Sequence, residues 1–165
     1  MKSLLALLIL AAPLAAVAAD DPDASFYNKA AEAGMYEVDA GTQAQDKGSS
    51  QAVKDFGAMM VKDHSAANDK LKALAATKSI SLPTTSSVGE MASKAKLDVL
   101  SGDTYDKAYI KSQIKAHRAA IALFKKEATS GQDPDAKAFA VATLPTLHAH
   151  LKKINSIAAD AGIKA

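Results

Sequence analysis

Cysteine is absent from all 165 residues of this chain. Disulfides, thiol nucleophiles, cysteine zinc sites and iron–sulfur clusters are therefore excluded. Tryptophan is absent too, aromatic residues make up only 5%, and Arg118 is the single arginine. Nucleic-acid readers usually combine a one-sided basic stripe with arginine or stacking aromatics. Here Lys and Asp/Glu alternate along the chain and the formal net charge is only +2. Such charges read as solvated helix faces, and no nucleic-acid partner is expected. A G-x-S-x-G elbow, a Gly-rich phosphate loop and an H-E-x-x-H motif are all missing, so no familiar catalytic constellation stands out.

What is present begins with a secretory signature. Lys2 gives a short positive start, Leu4 to Ala12 form an apolar run, and Pro13 interrupts it. Ala16-Val17-Ala18 supplies a small-x-small cleavage site. Residues 1–19 are therefore expected to be a signal peptide, and 20–165 a single exported domain, periplasmic or secreted. An uncleaved anchor is the alternative, but the apolar run falls short of the roughly 20 residues a membrane span needs. No later stretch is apolar enough to span. An exported domain without disulfides must be held by its core alone or by its core and a metal.

Alanine, leucine and lysine dominate, which favours helix because these side chains lose little freedom there. Four long helical patterns emerge between clear punctuation. The first follows Asp23, a candidate N-cap, and runs to about Lys47 before Gly48-Ser49-Ser50. The second spans about Gln51 to Lys78. A loop over Ser79–Ser87 and a short helix near Val88–Leu100 follow. Asp103 is the expected cap of the third long helix, which runs to about Thr129. Asp133-Pro134 opens the fourth, with Pro at the first helical position. It reaches about Ala159, and Pro145 within it is expected to kink it. The fold class expected is all-α: a ferritin-like antiparallel four-helix bundle with a short extra helix in the connection between helices two and three. A simple up-down-up-down bundle is the alternative topology.

The 3–4 spacing places Phe26, Ala30, Ala33, Glu37, Gly41 and Ala44 on one stripe of the first helix. Corresponding stripes carry His64 after Met60, His117 between Ile114 and Ile121, and His150 between Leu147 and Ile154. Each long helix thus points one ionisable residue of metal-ligand type at the core. At about 1.5 Å per residue all four lie near mid-height, whichever way each helix runs. Glu37, His64, His117 and His150 are therefore the candidate metal ligands, for a Zn, Cu or Fe ion. The competing reading is a buried hydrogen-bond network that fixes helix register, since a buried Glu needs partners with or without a metal. His148 lies on the adjoining face and would exchange with His150 on a modest helix rotation. Asp63 lies about 100° from His64 and is either solvated or a partner to a neighbouring His. Met60 reads as core packing, or as a thioether that would favour copper. A short echo matches Val61–Ala67 to Ile114–Ala120 with the histidines in register, consistent with a duplicated hairpin.

Several segments, taken in order, are similar to a known family. Glu32–Val38, Val61-Lys62-Asp63-His64-Ser65, Ser79–Pro83, Leu100-Ser101-Gly102, Tyr105–Tyr109, the helix around His117 and Leu144–Leu151 resemble the bacterial domain-of-unknown-function family 4142. The resemblance implies a ferritin-like four-helix bundle in an exported protein, often labelled an outer-membrane protein, although no barrel-strand alternation occurs here. That family usually carries Asp-His on both helices two and three, whereas this chain has Ala116-His117. The last family histidine aligns with His150. The residues three before the histidines are Val61, Ile114 and Leu147, so the Glu-x-x-His pairs of di-iron carboxylate enzymes are absent. Metal binding or stress protection, rather than catalysis, is the expected role.

Overall fold

A computed structural model describes residues 23–164. The expected signal peptide lies outside the described residues. The described chain is all-α, with α1 Ala24–Lys47, α2 Gln51–Thr77, α3 Val88–Asp98, α4 Gly102–Ser130 and α5 Pro134–Asp160. No strand occurs among the described residues.

The helix boundaries follow local chemistry. Ser50 caps α2 by accepting from the Val53 N–H. Ser87 and Glu90 form a capping box at the start of α3. Asp133 caps α5, accepting from the Asp135 N–H, and Pro134 fills the first helical position. Asp103 is not the cap of α4: that position belongs to Ser101, and Gly102 follows with φ +57°. The left-handed conformation, natural to glycine, starts the helix two residues earlier and leaves Asp103 in the first turn, where its charge suits the helix dipole. α5 continues through Pro145.

Two apolar clusters fill the interior. One gathers the end of α1, the start of α2, the start of α4 and the end of α5, with Val53, Phe56, Met60, Tyr105, Tyr109 and Ile154. The other gathers the opposite ends of the same helices, with Phe26, Tyr27, Leu71, Ile121, Phe124 and Leu147. The four long helices therefore pair antiparallel as α1/α2 and α4/α5, while α2 and α4 run in the same direction. The connection carrying α3 must then travel from one end of the molecule to the other. α3 buries only Leu97, and side-chain bonds from Gln43 and Lys47 to Asp98 hold it against the end of α1.

Two aspartates tie the hairpins together. Asp106, near the start of α4, accepts from the backbone N–H groups of Ser49 and Ser50, both at 2.8 Å. Asp23, before α1, accepts from those of Gln132 at 2.7 Å and Asp133 at 2.6 Å. Each hairpin's turn is thus held by a carboxylate at or near the start of the other's first helix. Asp23 occupies the expected cap position of α1 but spends its carboxylate on this distant turn. Within the first hairpin Gly41 and Gly57 face each other. A Cβ on Gly41 would meet the Gly57 carbonyl at 2.6 Å, and one on Gly57 would meet the Gly41 carbonyl at 2.5 Å. The absence of side chains lets α1 and α2 pack backbone to backbone there, one to two turns from Glu37 and His64.

Candidate metal centre

A polar layer separates the two apolar clusters. α2 carries His64 between Met60 and Leu71, α4 carries His117 between Ile114 and Ile121, and α5 carries His150 between Leu147 and Ile154. Because α2, α4 and α5 each bury one stripe, the histidine on each stripe is delivered to the same level. His64, His117 and His150 each offer one ring nitrogen to a group within 4.8 Å of one another. Their exposures are 9%, 1% and 2%. His148 is exposed, so the ambiguity at the end of the chain resolves in favour of His150.

The outer hydrogen bonds of two rings determine what faces inward. His117 Nδ1 lies 3.0 Å from the Gln113 carbonyl oxygen, which can only accept. His150 Nε2 lies 2.9 Å from an Asp63 carboxylate oxygen. If both outer nitrogens donate, the inner ones, His117 Nε2 and His150 Nδ1, carry lone pairs and face each other at 3.4 Å. Two lone pairs at that distance repel unless a cation sits between them. Metal–nitrogen bonds of about 2.0–2.1 Å at a tetrahedral angle put ligand nitrogens about 3.4 Å apart. Histidine ligands also characteristically give their second N–H to a carboxylate or carbonyl, as both rings do here. The third ring, His64, has a buried Nε2 with no hydrogen-bond partner. The residues present fit a metal ion.

Burial also keeps two of the rings, His64 and His117, neutral, as ligands must be. It lowers the His64 pKa to about 3, with any charge on His117 or His150 acting in the same direction. Burial lowers His117 to about 4, offset in part by its bond to the Gln113 carbonyl and helped by His150.

Glu37, the fourth candidate, stands apart from the trio. Its Oε1 is 3.9 Å from His117 Nδ1, the ring nitrogen turned away from His150. Its Oε2 has no hydrogen-bond partner. Burial pushes the Glu37 carboxyl up to about 8, with Gln113 beside it pulling the other way and Glu90 adding to the rise. The structure thus brings together three of the four sequence candidates and leaves Glu37 beside them. Asp63 takes the partner role: reaching across from α2, it pairs with His150 while its side chain stays 32% exposed. Met60 is fully buried in the adjoining apolar cluster. Gln113, one turn before His117, was not legible as a site residue; an amide in a helical stripe gives no distinguishing signal.

On one side of the histidine layer lies a small chamber of about 30 Å³, lined by Glu37, His64, His117, Asn68 and Thr143 among alanines, Leu and Phe. That volume suits one or two water molecules.

The model of a family described as a domain of unknown function, DUF4142, matches residues 10–157. No curated protein matches the chain significantly. Among solved structures, a DUF305 protein from Streptomyces coelicolor, named as a candidate secreted protein, superposes with a TM-score of 0.74 at 18% identity. The match covers 89% of this chain and 98% of that one. A DUF305 fragment from Deinococcus radiodurans gives a TM-score of 0.72 at 11% identity, covering 82% and 93%. At such identities the likeness concerns the fold alone. No helix among the described residues is long and apolar enough to cross a membrane.

Proposed function

The chain belongs to the DUF4142 family, and from that premise we propose that it is an exported metal-binding protein holding one transition-metal ion between His64, His117 and His150. The observation that supports this most is the pair of inner nitrogens, His117 Nε2 and His150 Nδ1, facing each other at 3.4 Å with both outer nitrogens already committed to acceptors. Three imidazoles suit zinc, copper or iron. Binding, buffering or protection against metal stress are the roles such a single buried ion serves. We read the architecture as a ferritin-like four-helix bundle. The connection that runs the length of the molecule between α2 and α4 supports that topology. The carboxylate-rich di-iron chemistry of that class finds no counterpart in a site with Glu37 as its one buried acid among the imidazoles. The Ala16-Val17-Ala18 site supports export, with a mature chain starting at Ala19 or Asp20.

The rival is a metal-free polar network, in which a proton bridges His117 and His150 after one outer hydrogen bond is given up. A melting series separates the two. Metal that binds only the folded state stabilises it by about 2.7 kcal/mol at a hundred times its dissociation constant. Wild type and His148→Ala should gain stability with added Zn or Cu, while His64→Ala, His117→Ala and His150→Ala should lose that gain. Identical melting shifts in chelator and in metal, across all four variants, would reject the metal site.

A further inference from the structure

The trio supplies three ligands, and two of them, His64 and His117, also line the chamber. Its acid, Glu37, is buried with Oε2 lacking a hydrogen-bond partner, while His64 Nε2 beside it is the nitrogen free for the ion. The remaining walls are largely apolar: Ala30, Ala33, Ala67, Ala120, Phe124 and Leu147. A polar corner inside an apolar box is what a small polar ligand would satisfy.

One polar residue is common to this chamber and the surface grooves beside it. Asn68 lines the chamber and also two surface grooves, of about 520 Å³ and 420 Å³, between α1, α2 and the connection after α2. Its side-chain amide lies over Gly34 of α1, where any Cβ would overlap it. A buried glycine inside a helix is unfavourable by roughly 1 kcal/mol against alanine, so the space it leaves for Asn68 has a cost. Among the described residues no hydrogen bond holds that amide in place.

We propose that the chamber is the binding site for an exogenous ligand of at most three heavy atoms, which enters past Asn68 and completes the coordination of the ion held by the histidine trio. The inference rests on the metal reading given above. The size limit follows from the chamber's volume of about 30 Å³. Glu37 forms its polar wall, Thr143 and Ala33 narrow it, and Asn68 is its door.

Cobalt(II) serves as a visible reporter of the ion's coordination, azide as the three-atom probe and imidazole as one too large for the chamber. Cobalt-loaded wild type should change its visible spectrum saturably with azide and remain unchanged with imidazole. Asn68→Ala should bind azide faster and admit imidazole. Thr143→Ile, which fills the chamber, should bind cobalt with unchanged stoichiometry but raise the azide dissociation constant at least about tenfold, equivalent to roughly 1.4 kcal/mol. Ala33→Val narrows the same space from α1, and the same result is expected should the isoleucine variant not fold. Cobalt that binds without any azide response overturns the proposal and leaves the metal reading standing. So does an azide response identical in wild type and both chamber-filling variants. Failure of cobalt to bind wild type overturns both.

Discussion

Replacing Glu37 by Gln should make the metal-free protein more stable, and increasingly so as pH rises. The carboxyl is 4% exposed and its pKa stands at about 8, against an ordinary value of 4.5. The folded state therefore holds a proton on Glu37 through the window between those values, while the unfolded chain releases it. With the native state binding more protons, stability falls as pH rises, by about 1.4 kcal/mol per unit for one group. From pH 4.5 to 7 that accumulates to about 3 kcal/mol, and the loss levels off above pH 8. Glutamine has the shape of the protonated acid and does not titrate, so it is free of this penalty. His64 and His117 titrate in the opposite sense, since their lowered values make the native state lose stability as pH falls below about 6.5. They are common to both proteins, so the difference between the two curves isolates Glu37. Urea unfolding in chelator at pH 5, 6, 7 and 8 is the assay. Near pH 5 the two midpoints should be close, and by pH 7.5 the variant should lead by about 3 kcal/mol, or 1–2 M in urea. Parallel curves from pH 5 to 8 would mean that the native protein already carries ionised Glu37 beside a protonated His117, and would refute the reasoning.

Gly57→Ala should lower stability by about 1–3 kcal/mol, since its Cβ would press on the Gly41 carbonyl and force α1 and α2 apart; a thermal midpoint equal to wild type would count against the close packing described. Asp106→Ala leaves the Ser49 and Ser50 N–H groups without their acceptor, a loss of about 1–3 kcal/mol in denaturant unfolding. A neutral result there would show that water satisfies that turn.

Much of the fold was legible because helix signals are local. The starts of α2 and α5 came from the Gly48-Ser49-Ser50 break and from Asp133 and Pro134, signals that act on the adjoining turn of backbone. The stripes of α2, α4 and α5 were legible because burial imposes the helical period, and that period carried His64, His117 and His150 to the core together. Where a side chain acts over long range the local reading failed. Asp23 sits at a cap position but is bound to the turn before α5, more than 100 residues away. Asp103 yielded the cap of α4 because Gly102 took a positive φ.

The sequence by itself therefore determined that the chain is helical, about where the helices lie and, for α1, α2 and α4, which stripe turns inward, since these depend on neighbours within a turn or two. Only the tertiary structure decided which ring nitrogens meet. It moved Glu37 to the outer side of His117, chose His150 over His148 and brought Asp63 from a different helix to His150. Spacing along a helix fixes a side chain's direction to within a stripe, whereas coordination depends on ångström-scale offsets between helices. Those offsets are set by contacts such as Gly41 against Gly57, between residues distant in sequence.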